Sequence, residues 1–246
     1  MARKRKKNDP EVADPAPLAA ALGVDFVPEL LDLALTHSSW GYEHDGAPDN
    51  ERLEFLGDSV LGLSVAQLLY REHPDLREGE LSPRHHALVS TVTLAEIGRR
   101  EGIGEYLRLG RSEHLTGGQD KDSILADAVE ALIGAAYLSR GYAEAEAFVV
   151  RLLEPYLDQV DRLGAAMDPK TALQELVTAN KADNPEYVVE GTGPDHDRSY
   201  EATVSVRRGR RVLVSARGTG PSKKQAEMAA ALEAWYELSG TERPST

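Results

Sequence analysis

The sequence predicts a multidomain chain: an all-α domain over most of its length, followed by a small α+β module of order α-β-β-β-α. Three observations predict this. From Leu18 to about Leu163, apolar residues recur at three- and four-residue spacing in long runs punctuated by Gly and Pro. Near 164–168 that pattern breaks. Beyond it lie short runs rich in Val and Tyr, with one helical pattern before them and one after.

Residues 1–17 are charged and Pro-rich without periodicity, and read as a disordered arm. The all-α domain, 18–163, reads as helices over 28–35, 51–73, 82–101, 122–140 and 143–160. The stretches 74–82 and 109–118 read as loops, the first ending in Ser82-Pro83, a pair suited to a helix start. Residues 164–168 read as a linker. Within 169–238 a helix is expected over 171–179 and strands over 186–190, 200–206 and 212–216, the last two flanking a turn at Gly209. Pro221 opens a final Ala-rich helix, 222–238, and 239–246 form a tail. Two helices and three short strands suit a small sheet with both helices on one face.

The chain has 246 residues, with 28 Lys+Arg, 41 Asp+Glu and no Cys. Without cysteine there is neither a disulfide framework nor a thiolate metal site, which fits a reducing cytoplasm, and any metal must be held by oxygen or imidazole. The basic start, 1–7, runs into Asn8-Asp9-Pro10 rather than an apolar stretch, so it does not read as a secretory signal. No segment approaches the ~18 uninterrupted apolar residues of a membrane span, so no membrane partner is expected and the cytoplasm is the expected compartment. A net charge of −13 argues against a nucleic-acid partner until its distribution is considered: +5 over 1–7, −17 over 8–167 and −1 over 168–246. The helical domain is strongly acidic, either as a solvated surface or around a carboxylate cluster that needs cations.

Residues 50–62, NERLEFLGDSVLG, are the most informative stretch. On a helix at ~100° per residue, Glu51, Glu54 and Asp58 fall within a ~60° wedge, and Leu53, Leu56, Val60 and Leu63 cover the opposite side. In 124–134, ILADAVEALIG, Asp127 and Glu130 stand three residues apart in an otherwise apolar helix, where an anion is costly unless compensated. Four residues beyond the last carboxylate of each set stands a glycine, Gly62 and Gly134, so the two helices are expected to approach closely there. If they face each other, Glu54, Asp58, Asp127 and Glu130 repel one another unless a divalent cation neutralises them. Oxygen-only ligands favour Mg²⁺ or Mn²⁺, and such a site suits phosphodiester hydrolysis; the alternative is an ordinary solvated acidic face.

These residues carry a resemblance. The run 51–61, ERLEFLGDSVL, is similar to the signature of the ribonuclease III family, and 123–134, SILADAVEALIG, resembles its second acidic motif. The likeness includes Ala34-Leu35-Thr36-His37-Ser38 and extends over about 18–238. It implies a catalytic endonuclease domain in which Glu54, Asp58, Asp127 and Glu130 bind the metal. In the same reading Asp58 and Glu130 are catalytic, Glu51 supports the set, and Glu78 matches a further acidic position tied to catalysis. It also implies Mg²⁺, with Mn²⁺ as a substitute, a homodimer through the catalytic domain, and double-stranded RNA as substrate. Cleavage would leave 5′-phosphate and 3′-hydroxyl ends, with ribosomal-RNA precursors and structured messages among the substrates.

Other candidates in this domain are weaker. His37 reads as a helix-end histidine rather than a base. The adjacent His85-His86 pair points to two faces of one helix and cannot chelate one ion. His44-Asp45 lies in a loop without a companion His. Phe55 and Leu56 are expected in the core or a subunit interface.

Residues 169–238 resemble a double-stranded-RNA-binding domain. Lys223 and Lys224 open its last helix and set two ammonium groups beside a positive helix terminus, an anion site suited to phosphates. By resemblance, Gln174 and Glu175 meet 2′-hydroxyls, and the loop holding Pro194 and His196 enters the minor groove. Arg207, Arg208, Arg210 and Arg211 around Gly209 read as a soluble turn that could widen the basic surface. The readings to be weighed against a nuclease are a non-cleaving regulator that binds duplex RNA and a metal phosphohydrolase of small substrates.

Overall fold

A computed structural model describes residues 12–192 and 198–241, in two compact units, Met1–Val160 and Asp161–Thr246. Residues 1–11 of the expected arm, 242–246 of the expected tail, and Pro194 and His196 lie outside the described residues.

The first unit is helical: α1 (Ala16–Leu22), α2 (Pro28–Ala34), α3 (Ser38–Glu43), α4 (Glu51–Glu72), α5 (Glu78–Leu88), α6 (Thr91–Arg100), α7 (Arg111–Leu115), α8 (Asp122–Arg140) and α9 (Tyr142–Leu153). Short 3₁₀ turns occupy Ile103–Tyr106, Gly118–Asp120 and Glu154–Gln159. Helix α8 is the centre of the unit: eleven of its residues, from Ile124 to Ala136, are buried, so it is apolar nearly all round. Helix α4 packs along it, with Leu53 and Gly57 at the contact, and buries Val60 and Leu61 as well. Its length and mean hydropathy of 1.2 would suit a bilayer, yet Glu51, Glu54 and Asp58 occupy its first two turns and part of it is buried against α8.

Four expectations are corrected here. The expected arm reached residue 17, but α1 begins at Ala16, because Pro17 is tolerated in a first helical turn and Leu18 and Leu22 bury one above the other. The expected helix 82–101 is two helices, broken where Ser90 caps α6 by accepting from the Thr93 N–H at 3.2 Å. Pro83 lies inside α5, which starts earlier, with the Glu80 carboxylate accepting from the Arg77 N–H at 3.2 Å. Within the expected loop 109–118, residues Arg111–Leu115 form α7.

In place of the expected linker 164–168, a further helix, α10 (Val160–Met167), opens the second unit, where Ala165 joins its core. One glycine, Gly164, costs a helix only about 1 kcal/mol, and Ala165, Ala166 and Met167 are good helix formers. Asp168 then caps α11 (Pro169–Ala179), accepting from the Thr171 N–H at 3.2 Å.

The second unit continues with β1 (Glu186–Thr192), β2 (Ser199–Arg208), β3 (Arg211–Gly220) and α12 (Lys223–Ser239). The strands form an antiparallel sheet in that order, with Val189 opposite Ala202 and Val204 opposite Ala216. One face of the sheet, from Ala202, Val204, Val206, Val214 and Ala216, packs on Leu173 and Val177 of α11 and on Ala226, Ala230 and Ala234 of α12. The alanine stripe at four-residue spacing lets α12 lie against the sheet: a Cβ on Gly218 of β3 would fall 2.1 Å from the Ala230 nitrogen.

Candidate functional site

Helix α4 starts from Asn50, which is buried and held at both ends. Its N–H donates to the Thr36 carbonyl at 2.8 Å, its side-chain Nδ2 to the Ala34 carbonyl at 3.3 Å, and its own carbonyl accepts from the Glu54 N–H at 2.9 Å. This fixes where Glu54 emerges. On α8, Asp127 and Glu130 are partly buried interruptions in a run of buried Ala, Val, Leu and Ile. The two helices are brought together by glycines. A Cβ on Gly57 would lie 1.7 Å from the Glu130 carbonyl oxygen, and one on Gly134 would lie 2.3 Å from that of Leu53.

The expected contact glycine on α4 was Gly62, and this is corrected: a Cβ there would find nothing nearer than His85 Nε2 at 3.9 Å. Crossing helices touch closely over a short span. Gly62 stands about 7.5 Å further along the axis than Gly57.

At the crossing, carboxylate oxygens of Glu54, Asp127 and Glu130 lie within 4.8 Å of one another. Burial, reinforced by the charges of Asp58, Glu54 and Asp127, pushes the Glu130 carboxyl up to about 8. Burial also raises Glu54, helped by Asp127, Glu51 and Asp58, and it raises Asp127, where the field of His37 acts the other way. A group of oxygens at this spacing, partly withdrawn from water and mutually repelling, fits a divalent cation bound through oxygen; among the described residues the group contains no imidazole or thiolate.

The remaining expected site residues fall in different places. Asp58 is exposed and outside the group of three, but its charge acts on Glu54 and Glu130; Glu51, exposed at the start of α4, acts on Glu54. Glu78 opens α5, exposed, and is not brought to the cluster. Gln174 and Glu175 are exposed on α11, with Gln174 Nε2 donating to Asn184 Oδ1 at 2.9 Å. Lys223 and Lys224 are exposed in the first turn of α12, behind Ser222, whose Oγ accepts from the Gln225 N–H at 3.2 Å.

The arginine hairpin does not extend that basic edge. It lies at the far end of β3, about 33 Å along a ten-residue strand. There Arg208 donates to the Asn180 carbonyl at 2.6 Å, and Asp183 accepts from the Gly209 N–H at 3.0 Å.

Sequence reasoning missed Gly57. Its signal was a glycine inside a long helix, which costs about 1 kcal/mol and asks for a packing reason.

Comparison with known proteins agrees with both units. The family model described as Ribonuclease-III-like matches residues 27–157, and the double-stranded RNA binding motif matches 169–238. The chain is 58% identical over 228 residues to Ribonuclease 3 of Leifsonia xyli subsp. xyli, covering 93% of this chain and 94% of that one. It is 54% identical over 214 residues to Ribonuclease 3 of Thermobifida fusca, covering 87% and 88%. Among solved structures, the nuclease domain of ribonuclease III from Campylobacter jejuni is 38% identical, with a TM-score of 0.55 over 58% of this chain and 97% of that one. At this identity, along nearly the full length of its relatives, the chain belongs to the ribonuclease III family, as an endoribonuclease with a double-stranded-RNA-binding domain.

Proposed function

We propose that this endoribonuclease hydrolyses phosphodiester bonds of double-stranded RNA in a Mg²⁺-dependent reaction, with Mn²⁺ as a substitute, leaving 5′-phosphate and 3′-hydroxyl ends. The observation that carries this reading is the convergence of Glu54, Asp127 and Glu130 at the α4–α8 crossing, in a chain that also holds a double-stranded RNA binding motif. These three carboxylates and Asp58 hold the cation, with Asp58 and Glu130 catalytic. Asp58, exposed on the same side of α4, completes the negative field and faces the solvent from which RNA arrives; Glu51 reinforces it, and Glu78 acts in catalysis from α5. When bound, the cation supplies Lewis-acid activation of water and neutralises charge on the phosphoryl and leaving oxygens. The protein contributes rigidity: with no Cβ at Gly57 or Gly134, the backbones lock and the carboxylates are held at fixed spacing.

The RNA-binding residues are Lys223 and Lys224 on phosphates, Gln174 and Glu175 on 2′-hydroxyls, and Pro194 and His196 in the minor groove. Such contacts read A-form shape with little sequence information. The acting form is a homodimer. Its support is a stripe on α4 that α8 does not cover: Phe55, Leu63 and Tyr70 are 79%, 55% and 76% exposed, within a ~80° arc of the helix. The expected core or interface role of Phe55 thus goes to the interface. The Campylobacter jejuni nuclease domain is described with a region involved in dimer formation. Two sites related by a two-fold axis suit the two antiparallel strands of a duplex. The substrates are precursors of ribosomal RNA and structured messages, and the compartment is the cytoplasm.

Incubating labelled duplex and single-stranded RNA of one sequence with and without Mg²⁺ tests the reading. Duplex cleavage in Mg²⁺ and none in chelator is expected. An intact duplex in Mg²⁺ would favour a non-cleaving regulator and overturn it.

A further inference from the structure

We propose that Lys170 is a positioning residue for RNA capture, which by pairing with Glu227 draws that carboxylate away from Lys223 and Lys224; this rests on the reading of those two lysines as phosphate contacts. The need for such a residue lies in the last helix. In 222–227, SKKQAE, the carboxylate stands four residues beyond Lys223 and three beyond Lys224, the two spacings at which side chains on one helix meet. At ~100° per residue, Glu227 falls between the two lysines on the helix surface. Without another partner it would neutralise the charge that α12 offers to a phosphate.

The fold supplies that partner. Lys170 Nζ, from the first turn of α11, donates to Glu227 Oε2 at 2.7 Å. The turn that carries Lys170 is fixed, because Asp168 accepts from both the N–H and the Oγ1 of Thr171 and Pro169 is buried. The ammonium lies 4.6 Å from the centroid of the Tyr187 ring, which packs against the core of the module from β1. Burial and the Glu227 charge push the Tyr187 phenol up to about 12, so the ring beneath the cation stays neutral. With Glu227 26% and Lys170 41% exposed, water screens this pair less than one on the open surface. The competing contacts within α12 have lysine before glutamate, the weaker order along a helix, so Glu227 stays with Lys170. Among the described residues no carboxylate pairs with Lys223 or Lys224, and both are exposed.

Paired variants of the full chain separate this role from a structural link between helices. The measurement is affinity against salt for one duplex RNA, in Ca²⁺ to suppress hydrolysis, with thermal unfolding as a folding check. Lys170→Met keeps the apolar stem and releases Glu227 to mask one ammonium group. The salt slope is then expected to fall by roughly one unit, about an 8-fold loss of affinity near ~0.1 M salt. Glu227→Gln breaks the same ion pair but leaves no carboxylate, and is expected to bind as wild type or tighter. Lys170→Met combined with Glu227→Gln is expected to recover the wild-type slope. In a protein carrying Lys223→Ala and Lys224→Ala, Lys170→Met is expected to add no further loss, because nothing is left to mask. Wild-type binding in Lys170→Met, an equal loss in Glu227→Gln, or no recovery in the combined variant would overturn the proposal. So would an undiminished loss in the background lacking both lysines, which would assign the Lys170 charge to RNA directly. A wild-type salt slope in that background itself would overturn the phosphate-contact reading, and the proposal with it.

Discussion

Gly57 of α4 and Gly134 of α8 meet backbone to backbone: a Cβ added to Gly134 would lie 3.2 Å from the Gly57 nitrogen, and one added to Gly57 would strike the Glu130 carbonyl at 1.7 Å. The same crossing that brings the main chains together brings Glu54 to Asp127 and Glu130. Structural packing and the candidate site are therefore one contact.

Gly57→Ala tests that coupling. Alanine favours the helix by about 1 kcal/mol, but separating two backbones in a packed core costs about 3 kcal/mol or more, so the steric term wins. A fall in melting temperature of ~5 °C or more is expected, together with weaker divalent-cation binding. Gly164→Ala, with nothing within 4 Å of the new Cβ, is expected to stabilise slightly. Equal effects of the two substitutions in thermal unfolding would contradict the packing account.

Glu130 gives a pH dependence with a definite sign. Its carboxyl is pushed up to about 8 from an ordinary 4.5, so across that window the unfolded chain loses a proton that the folded chain keeps. Stability of the metal-free protein should therefore fall as pH rises from about 4.5 to about 8, then level off. Glu130→Gln should flatten this slope, the raised Glu54 and Asp127 keeping a smaller one, and at pH 8 it should raise metal-free stability by on the order of 1 kcal/mol after solvent screening. Duplex cleavage should drop by several orders of magnitude. Melting temperature in chelator from pH 5 to 8.5 is the measurement, and a wild-type slope in the variant would refute the assignment.

Phe55 tests the dimer. Truncating a buried Phe to Ala costs about 2 kcal/mol a copy, hence ~4 kcal/mol in a two-fold assembly, about 1000-fold in dissociation constant. Sedimentation of the full chain should show a wild-type mass of twice 26.8 kDa at micromolar concentration, and a shift toward 26.8 kDa in Phe55→Ala. An unchanged dissociation constant would exclude this stripe from the interface.

Replacing both Lys223 and Lys224 by Ala should weaken binding to unrelated duplexes about equally and flatten the salt dependence by roughly one to two units, because phosphate contacts position the module without specifying sequence. Affinity against salt for two unrelated duplexes, in Ca²⁺ to suppress hydrolysis, gives the slope. A loss confined to one duplex would assign these lysines to base recognition instead.

The amino-acid sequence by itself determined the two modules, the long helices and the acidic positions, because these follow from local periodicity: Asp127 and Glu130 three apart in an apolar run, or Val and Tyr in runs around a Gly209 turn. It misjudged boundaries where single residues outweigh the pattern, as at Pro83 inside α5 and at Ser90 between α5 and α6. Only the tertiary structure decided which glycine of α4 meets α8, since a helical projection shows that Gly62 continues the acidic wedge but not where along the axis two helices cross. For the same reason the fold decided which side of α4 meets solvent: Leu63, on the apolar side opposite the acidic wedge, is exposed. Contacts between residues far apart in the chain depend on crossing points and depth, and no local spacing encodes either.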